Sequence, residues 1–215
     1  MKAVRERMKK SLSIKTKQNS MGSARRAIKS MSEADFAKTY RLKGQVMEST
    51  NSGMQVLFAT RLSDGMDVVV KTREKSKSFK SSAEEREWRS TTEVQLNMPK
   101  TDTICEFIDV LETRDFYYVV MEKVEGKDLF EHMCAESLKQ VDAREILRQI
   151  LDALKNMHGA GRIHKDLKLE NVMVDMESPK RKSTSSELPP DSPAGVKLID
   201  FDTVQDWEPH SPKSR

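Results

Sequence analysis

The residue types best suited to chemistry are concentrated in one short string, His164-Lys-Asp-Leu-Lys-Leu-Glu-Asn171, where Asp166, Lys168 and Asn171 fall within six positions. A carboxylate can take up a proton or hold a hard cation, an amide oxygen can hold the same cation, and an ammonium group attracts anions. Taken alone, the string also fits a polar loop behind a helix. Three more groups stand elsewhere: Lys71 closing the apolar run Val68-Val-Val-Lys71, Glu93 in the helical stretch after it, and Asp200 in Leu198-Ile-Asp-Phe201. A lysine at the end of an apolar strand is by itself an ordinary solvated strand end, so the order of these groups carries the case. Thiol and structural-zinc chemistry have little to work with. The chain has two cysteines, Cys105 and Cys134, and no zinc-type spacing, which reads as a protein of a reducing compartment.

The elements that must position these groups divide the body in two. Val46, Gln55–Arg61 and Met66–Lys71 read as strands of β-branched and apolar residues, and Ser63-Asp64-Gly65 is a hairpin-turn signal between the second and third. Ser82-Ala-Glu-Glu85 reads as a capping box opening a helix that ends near Met98, because Pro99 follows. Ile104–Leu111 and Phe116–Met121 add two strands around a polar turn. A second, helical part follows. Asp142 and Glu145 read as a cap, and Ile146, Leu147, Ile150, Leu151, Leu154 and Met157 recur at helical spacing until Gly159-Ala-Gly161. Ile163 to Val174 reads as a loop with short apolar pieces, and Val196–Phe201 as a last short strand. Between them, residues 176–195 hold four of the seven prolines and five serines and read as a surface loop.

The string at His164–Asn171 resembles the catalytic loop H-R-D-x-x-x-x-N of the eukaryotic protein kinases. Val68-Val-Val-Lys71 resembles the family's V-A-I-K element, Tyr118-Val-Val-Met-Glu-Lys-Val-Glu-Gly126 its hinge, and Leu198-Ile-Asp-Phe201 the start of its D-F-G element, with Glu93 placed as the ion-pair Glu. The match covers about residues 40–202 in one order, and Lys168, two residues after the Asp, is the choice of the Ser/Thr type. The resemblance implies an α+β, protein-kinase-like fold: an antiparallel-sheet N-lobe with one helix, and an incomplete helical C-lobe. It implies ATP-dependent phosphoryl transfer to Ser/Thr of protein substrates, with ATP and Mg²⁺ bound between the lobes. Asp166 would accept the proton of the attacking hydroxyl, Lys168 would contact the transferred phosphate, and Lys71 would hold the α- and β-phosphates while pairing with Glu93. Asn171 and Asp200 would hold Mg²⁺. Gly53, Val56, Val69, Met121, Met173 and the backbone of Glu122 and Val124 would surround the nucleotide.

Departures from the family pattern are local. Residues 44–56 hold two glycines where G-x-G-x-x-G-x-V has three, Val69 stands for Ala, Lys165 for Arg, and Asp202 for the Gly of D-F-G. Thirteen mostly polar residues, 203–215, follow Asp202 without an A-P-E element. The expectation is therefore a kinase domain cut after the D-F-G-like element and weak in transfer by itself, either as a fragment of a longer chain or as a true truncation whose C-lobe a partner completes. The alternative function is a kinase-like binding module, a pseudokinase acting through protein interaction.

Charge supports a folded body with a basic extension. Charged residues reach 33%, above the ordinary quarter, and the net charge is +4. Residues 1–30 carry ten Lys/Arg and one acid, while the remainder has 28 basic and 33 acidic residues. The basicity thus belongs to a tail, in which Val4, Met8 and Leu12 could form a short amphipathic face, and not to a nucleic-acid-binding body. The expected organisation is a disordered basic tail over 1–35, an N-lobe over 36–123, a partial C-lobe over 124–202 containing the 176–195 insert, and a polar tail over 203–215. No apolar run is long enough to span a membrane. The expected location is cytoplasmic, with nuclear or organellar targeting by the tail as the alternative.

Overall fold

Valine-rich segments whose side chains alternate between two covered faces build the sheet that roofs the cleft. The structure, a computed structural model, describes residues 25–47, 53–176 and 195–206. The strands β1 (Lys29–Ser30), β2 (Tyr40–Met47), β3 (Met54–Arg61), β4 (Asp67–Glu74), β5 (Phe107–Glu112) and β6 (Phe116–Glu122) lie in the order β1-β5-β6-β4-β3-β2. All neighbours are antiparallel except β1, which runs parallel to β5. The β3–β4 hairpin turns at Gly65, whose φ of 74° suits glycine and whose N–H donates to Arg61 O at 2.9 Å.

Period-two alternation sends Ala59, Val68, Val70, Leu111, Tyr118 and Val120 to one face. The helix α1 (Glu33–Thr39) covers that face with Phe36, whose ring stacks on Tyr118 at 3.9 Å. Burying an aromatic of this size contributes about 1.5–3 kcal/mol. The opposite face carries Val69, Lys71, Val119 and Met121 toward the second half of the molecule. The helix α3 (Ser82–Leu96) packs at that side, after a short helix α2 (Lys75–Ser78), and presents Trp88, Thr92, Gln95 and Leu96 at helical spacing.

The second half contains α4 (Leu129–Ala135) and α5 (Gln140–Gly159), a three-stranded sheet ordered β10-β9-β7, and a small pair of β8 (Arg162–Ile163) with β11 (Gln205–Asp206). Its strands β7 (Lys127–Asp128), β9 (Val172–Asp175) and β10 (Gly195–Leu198) are antiparallel neighbours. Ile146, Ala153 and Met157 of α5 join Val172, Val174, Val196 and Leu198 in one apolar cluster that runs on to Phe107 and Val119 above. The two halves are also stitched by backbone, because Cys105 N–H donates to Leu198 O and Leu198 N–H to Thr103 O, each at 2.9 Å. The fold is α+β and kinase-like, with a sheet-based small lobe and a partial helical lobe. Among the described residues, no helix is long and apolar enough to cross a membrane.

Five local expectations are corrected. The polar tail expected from residue 203 begins inside the fold, with Val204 buried in the main cluster and β11 paired to β8. The cap of α3 is Ser81, which accepts from Glu84 N–H at 3.2 Å while Glu84 reaches back to Lys80 N–H at 2.7 Å, so the capping box sits one residue earlier. Helix α5 opens at Gln140 without a side-chain cap, and Glu145 instead holds Arg148 and Gln149. The loop expected over Ile163–Val174 contains β9, paired to both β7 and β10. Finally, the expected tail boundary at residue 35 falls inside α1. Residues 26–35 are built into the small lobe, where β1 closes the sheet edge and Ser32 caps α1 by accepting from Asp35 N–H. Residues 1–24, including Val4, Met8 and Leu12, most of the 176–195 insert, and 207–215 lie outside the described residues.

Candidate active site

Lys71 reaches the cleft because β4 alternates. Val68 and Val70 are buried on the α1 side, so Val69 and Lys71 face the other way. The Lys71 ammonium is 2.8 Å from Asp200 Oδ1 and 2.6 Å from Asp202 Oδ2. The expected pair with Glu93 is not formed. The buried stripe of α3 runs through Thr92, Gln95 and Leu96, and Glu93 lies about 100° round the helix from Thr92. Its carboxylate accepts from Ile28 N–H at 3.2 Å instead. The segment that occupies it is held by Arg26, whose guanidinium donates to the carbonyls of Leu96, Phe107 and Ile108, and by paired bonds between Asn97 and the Arg26 backbone. Sequence reasoning missed this strap. Its one signal was an Arg with no acidic neighbour just before the first element.

Below the sheet, the turn Leu169–Asn171 folds the polar string back on itself. Asn171 is buried and its amide donates to Asp166 O at 2.8 Å and Asp166 Oδ2 at 3.0 Å. Lys168 Nζ is 3.1 Å from Asp166 Oδ2. Ile199 N–H donates to Asn171 O at 3.0 Å, which ties the string to the residue before Asp200. His164 is buried beside Phe201, at 5.3 Å between rings, with Nε2 3.0 Å from Ile199 O. Phe201 in turn meets Phe107 edge-on at 5.9 Å. Lys165 and Asp200 have φ of 65° and 58°, left-handed conformations that cost non-glycine residues energy and that neighbouring bonds must hold. Burial raises the Asp200 carboxyl, and the nearby Lys71 charge more than offsets this, leaving it below the ordinary carboxylate value. The structure thus brings Lys71, Asp166, Lys168, Asn171 and Asp200 into one connected region.

The family model described as protein kinase domain matches residues 51–215, which is more than half of the chain. The chain belongs to the protein kinase family. Its relatives include the hormonally up-regulated neu tumor-associated kinase of Mus musculus, 30% identical over 138 residues, 64% of this chain and 17% of the relative. Homolog B of that kinase in Xenopus laevis is 34% identical over 138 residues, covering 64% of this chain and 19% of its own length. A serine/threonine-protein kinase H1 homolog of Pinctada fucata is 40% identical over 79 residues, 36% of this chain and 19% of the relative. The chain therefore spans about a fifth of the length of the curated relatives it matches.

On the Lys71 face of the sheet, Val69 lies opposite Phe58 and Met121 in register, and Val56 lies opposite Lys71. Val56, Val69, Met121 and Met173 are half-buried. Glu122 N–H donates to Glu106 O at 3.1 Å, and the Glu122 carboxylate accepts from Glu106 N–H and Lys197. Val124 packs on the main core. Gly53 is placed differently from a free phosphate-cradling glycine. Its φ is 84°, its carbonyl accepts from Glu74 N–H at 2.7 Å, and a Cβ there would crowd Lys77 Cβ at 2.6 Å. Residues 48–52 lie outside the described residues. Asp200 and Asn171, on segments joined by the Ile199 N–H to Asn171 O bond, supply a carboxylate and an amide oxygen, donor types that fit Mg²⁺, which keeps several waters and phosphate ligands.

A charged cluster behind Lys71 fixes α3 to the sheet. Glu112 accepts from Lys75 at 2.8 Å and Arg89 at 2.6 Å, and Tyr117 Oη lies 3.1 Å from it and 2.6 Å from Glu85. Burial works to raise the Glu112 carboxyl, but these bonds hold it at about 2, below an ordinary 4.5. A depressed folded value means that the stabilisation is present above pH 4.5 and is lost as the pH falls through about 2. Glu112→Gln is expected to cost roughly 1.5–3 kcal/mol at pH 7 and progressively less between pH 4.5 and 2. Urea melts of both proteins at pH 7 and pH 3 check this. A cost that does not shrink at pH 3 would show that the charge is not the cause.

Proposed function

We propose that this kinase domain transfers the terminal phosphate of ATP to Ser or Thr hydroxyls of protein substrates in the cytoplasm. The observation that carries the reading is that Lys71 pairs with Asp200 while Asp166, Lys168 and Asn171 are bonded to one another, and the Ile199 N–H ties Asn171 to the residue before Asp200. In this reading Asp166, held by the Asn171 amide, takes the proton of the attacking hydroxyl at its carboxylate. Lys168 adds positive charge beside that carboxylate, where the transferred phosphate would pass. Lys71 binds phosphate oxygens from above, and Asp200 with Asn171 would hold Mg²⁺. The metal supplies neutralisation of phosphate charge when bound. The Lys168 position and the likeness to the serine/threonine-protein kinase H1 homolog of Pinctada fucata favour Ser/Thr over Tyr.

A second reading, a nucleotide-weak binding module, is favoured by Gly53 packed on α2 and by a Lys71 already occupied by two carboxylates. The test is ATP affinity by calorimetry with and without Mg²⁺. Tighter binding with Mg²⁺, by about tenfold or more, is expected, and Asp200→Ala is expected to remove that dependence. Unchanged Mg²⁺ dependence in Asp200→Ala would refute the assignment. Binding without phosphate transfer to any Ser/Thr peptide would favour the second reading.

A further inference from the structure

Lys71 is a largely buried ammonium, with its side chain 15% exposed, and such a charge needs an anionic partner at all times. Two carboxylates contact it, from Asp200 and Asp202. On the reading above, Asp200 would also hold the metal and would then share its charge between two cations. Glu93 is no substitute, because its carboxylate is taken up by the Ile28 N–H at 3.2 Å. Asp202 is the remaining anion, and the fold secures it. Its Oδ2 lies 3.4 Å from Arg73 Nη2. Arg73 is two residues beyond Lys71 and so shares its face of β4. The Arg73 guanidinium lies 5.3 Å from the ring centre of Phe79 and 5.2 Å from that of Trp88, within cation–π range of both. A chain of contacts therefore runs from Trp88 on α3 through Arg73 and Asp202 to Lys71.

We propose that Asp202 is the positioning carboxylate of Lys71, filling the role that the resemblance gave to Glu93, and that Arg73, clamped between Phe79 and Trp88, holds it in place. The proposal rests on the kinase reading for the use made of Lys71 and for the metal role of Asp200; the pairing itself is a property of the nucleotide-free chain. It also gives the Asp in the third position of the D-F-G-like element a purpose. A glycine there would offer Lys71 no carboxylate. Helix α3 then influences Lys71 through Trp88 and Arg73, not through its own carboxylate.

The test reads Lys71 directly. The nucleotide-free chain is labelled with an amine-reactive acylating reagent at pH 9, and labelling of the Lys71 peptide is followed by mass spectrometry, with melting curves confirming fold. Asp202→Asn is expected to raise the Lys71 labelling rate about fivefold, because a side chain released from its 2.6 Å carboxylate clamp is open to the reagent more of the time. Asp202→Glu should return it toward the parent rate, Arg73→Gln should raise it partway, and Glu93→Gln should leave it unchanged. Labelling in Asp202→Asn within the error of the parent, or an equal rise in Glu93→Gln, overturns the proposal. The Mg²⁺–ATP affinity of Asp202→Asn is a separate readout, expected to fall while its Mg²⁺ dependence persists, unlike Asp200→Ala. If Lys71 labelling responds as stated but the parent chain binds no nucleotide, the Asp202 pairing stands and the phosphoryl-transfer reading fails.

Discussion

Gly126→Ala is expected to destabilise the domain by about 3 kcal/mol or more, the largest effect of any single-methyl addition in the described chain. Two costs add at this position. Its φ of 95° lies in a region that L side chains rarely adopt, and a Cβ there would overlap the backbone carbonyl of Val174. Backbone cannot swing aside as a side-chain tip can. The overlap falls where the chain leaves the hinge and enters β7, whose Lys127 pairs with Val174 of β9. Relief would therefore loosen β9, the strand that follows Asn171 directly. Urea denaturation of the two proteins measures the loss, and a difference below 1 kcal/mol would mean that the β7–β9 approach is much looser than described. Gly65→Ala is the internal comparison. It shares a positive φ but meets nothing within 4 Å, so its cost should be limited to backbone strain of about 1 kcal/mol.

Asp166→Asn, in any length of this protein that supports phosphate transfer, is expected to lower kcat by roughly 10³-fold with little change in the KM for ATP. The substitution keeps the shape and the hydrogen bond offered by the Asn171 amide, which can be accepted by the new amide oxygen. It removes the group that can take a proton and the charge that meets Lys168 at 3.1 Å. The split between kcat and KM is what distinguishes a lost base from a distorted cleft, since distortion would also weaken nucleotide binding. Steady-state assays with a generic Ser/Thr peptide check it. Activity within tenfold of the parent would remove Asp166 from the proton-transfer role.

Much of this molecule was legible in its residues. Alternation in Val68-Val-Val-Lys71, the Asp-Gly turn and the apolar spacing of α5 are local rules, and each produced the element expected of it. The order of the kinase-like strings pointed to the family, and Asp166 and Asn171 are close enough in sequence for one short turn to join them. The partner of Lys71 was a different kind of question. Glu93, Asp200 and Asp202 all carry a carboxylate at a plausible sequence position, and no local rule ranks them. Which one arrives depends on how α3 is rotated about its axis, and packing of Trp88, Thr92, Gln95 and Leu96 sets that rotation. It depends also on the strap at Arg26–Ser30, which reads in sequence as part of a basic tail. Only when the sheet edge at β5 and the carbonyls of Leu96, Phe107 and Ile108 are assembled does Arg26 have anything to bind. Residues separated by 65 to 129 positions thus decide the electrostatics of Lys71, because a charge responds to whatever tertiary packing brings within a few ångströms and not to its neighbours along the chain.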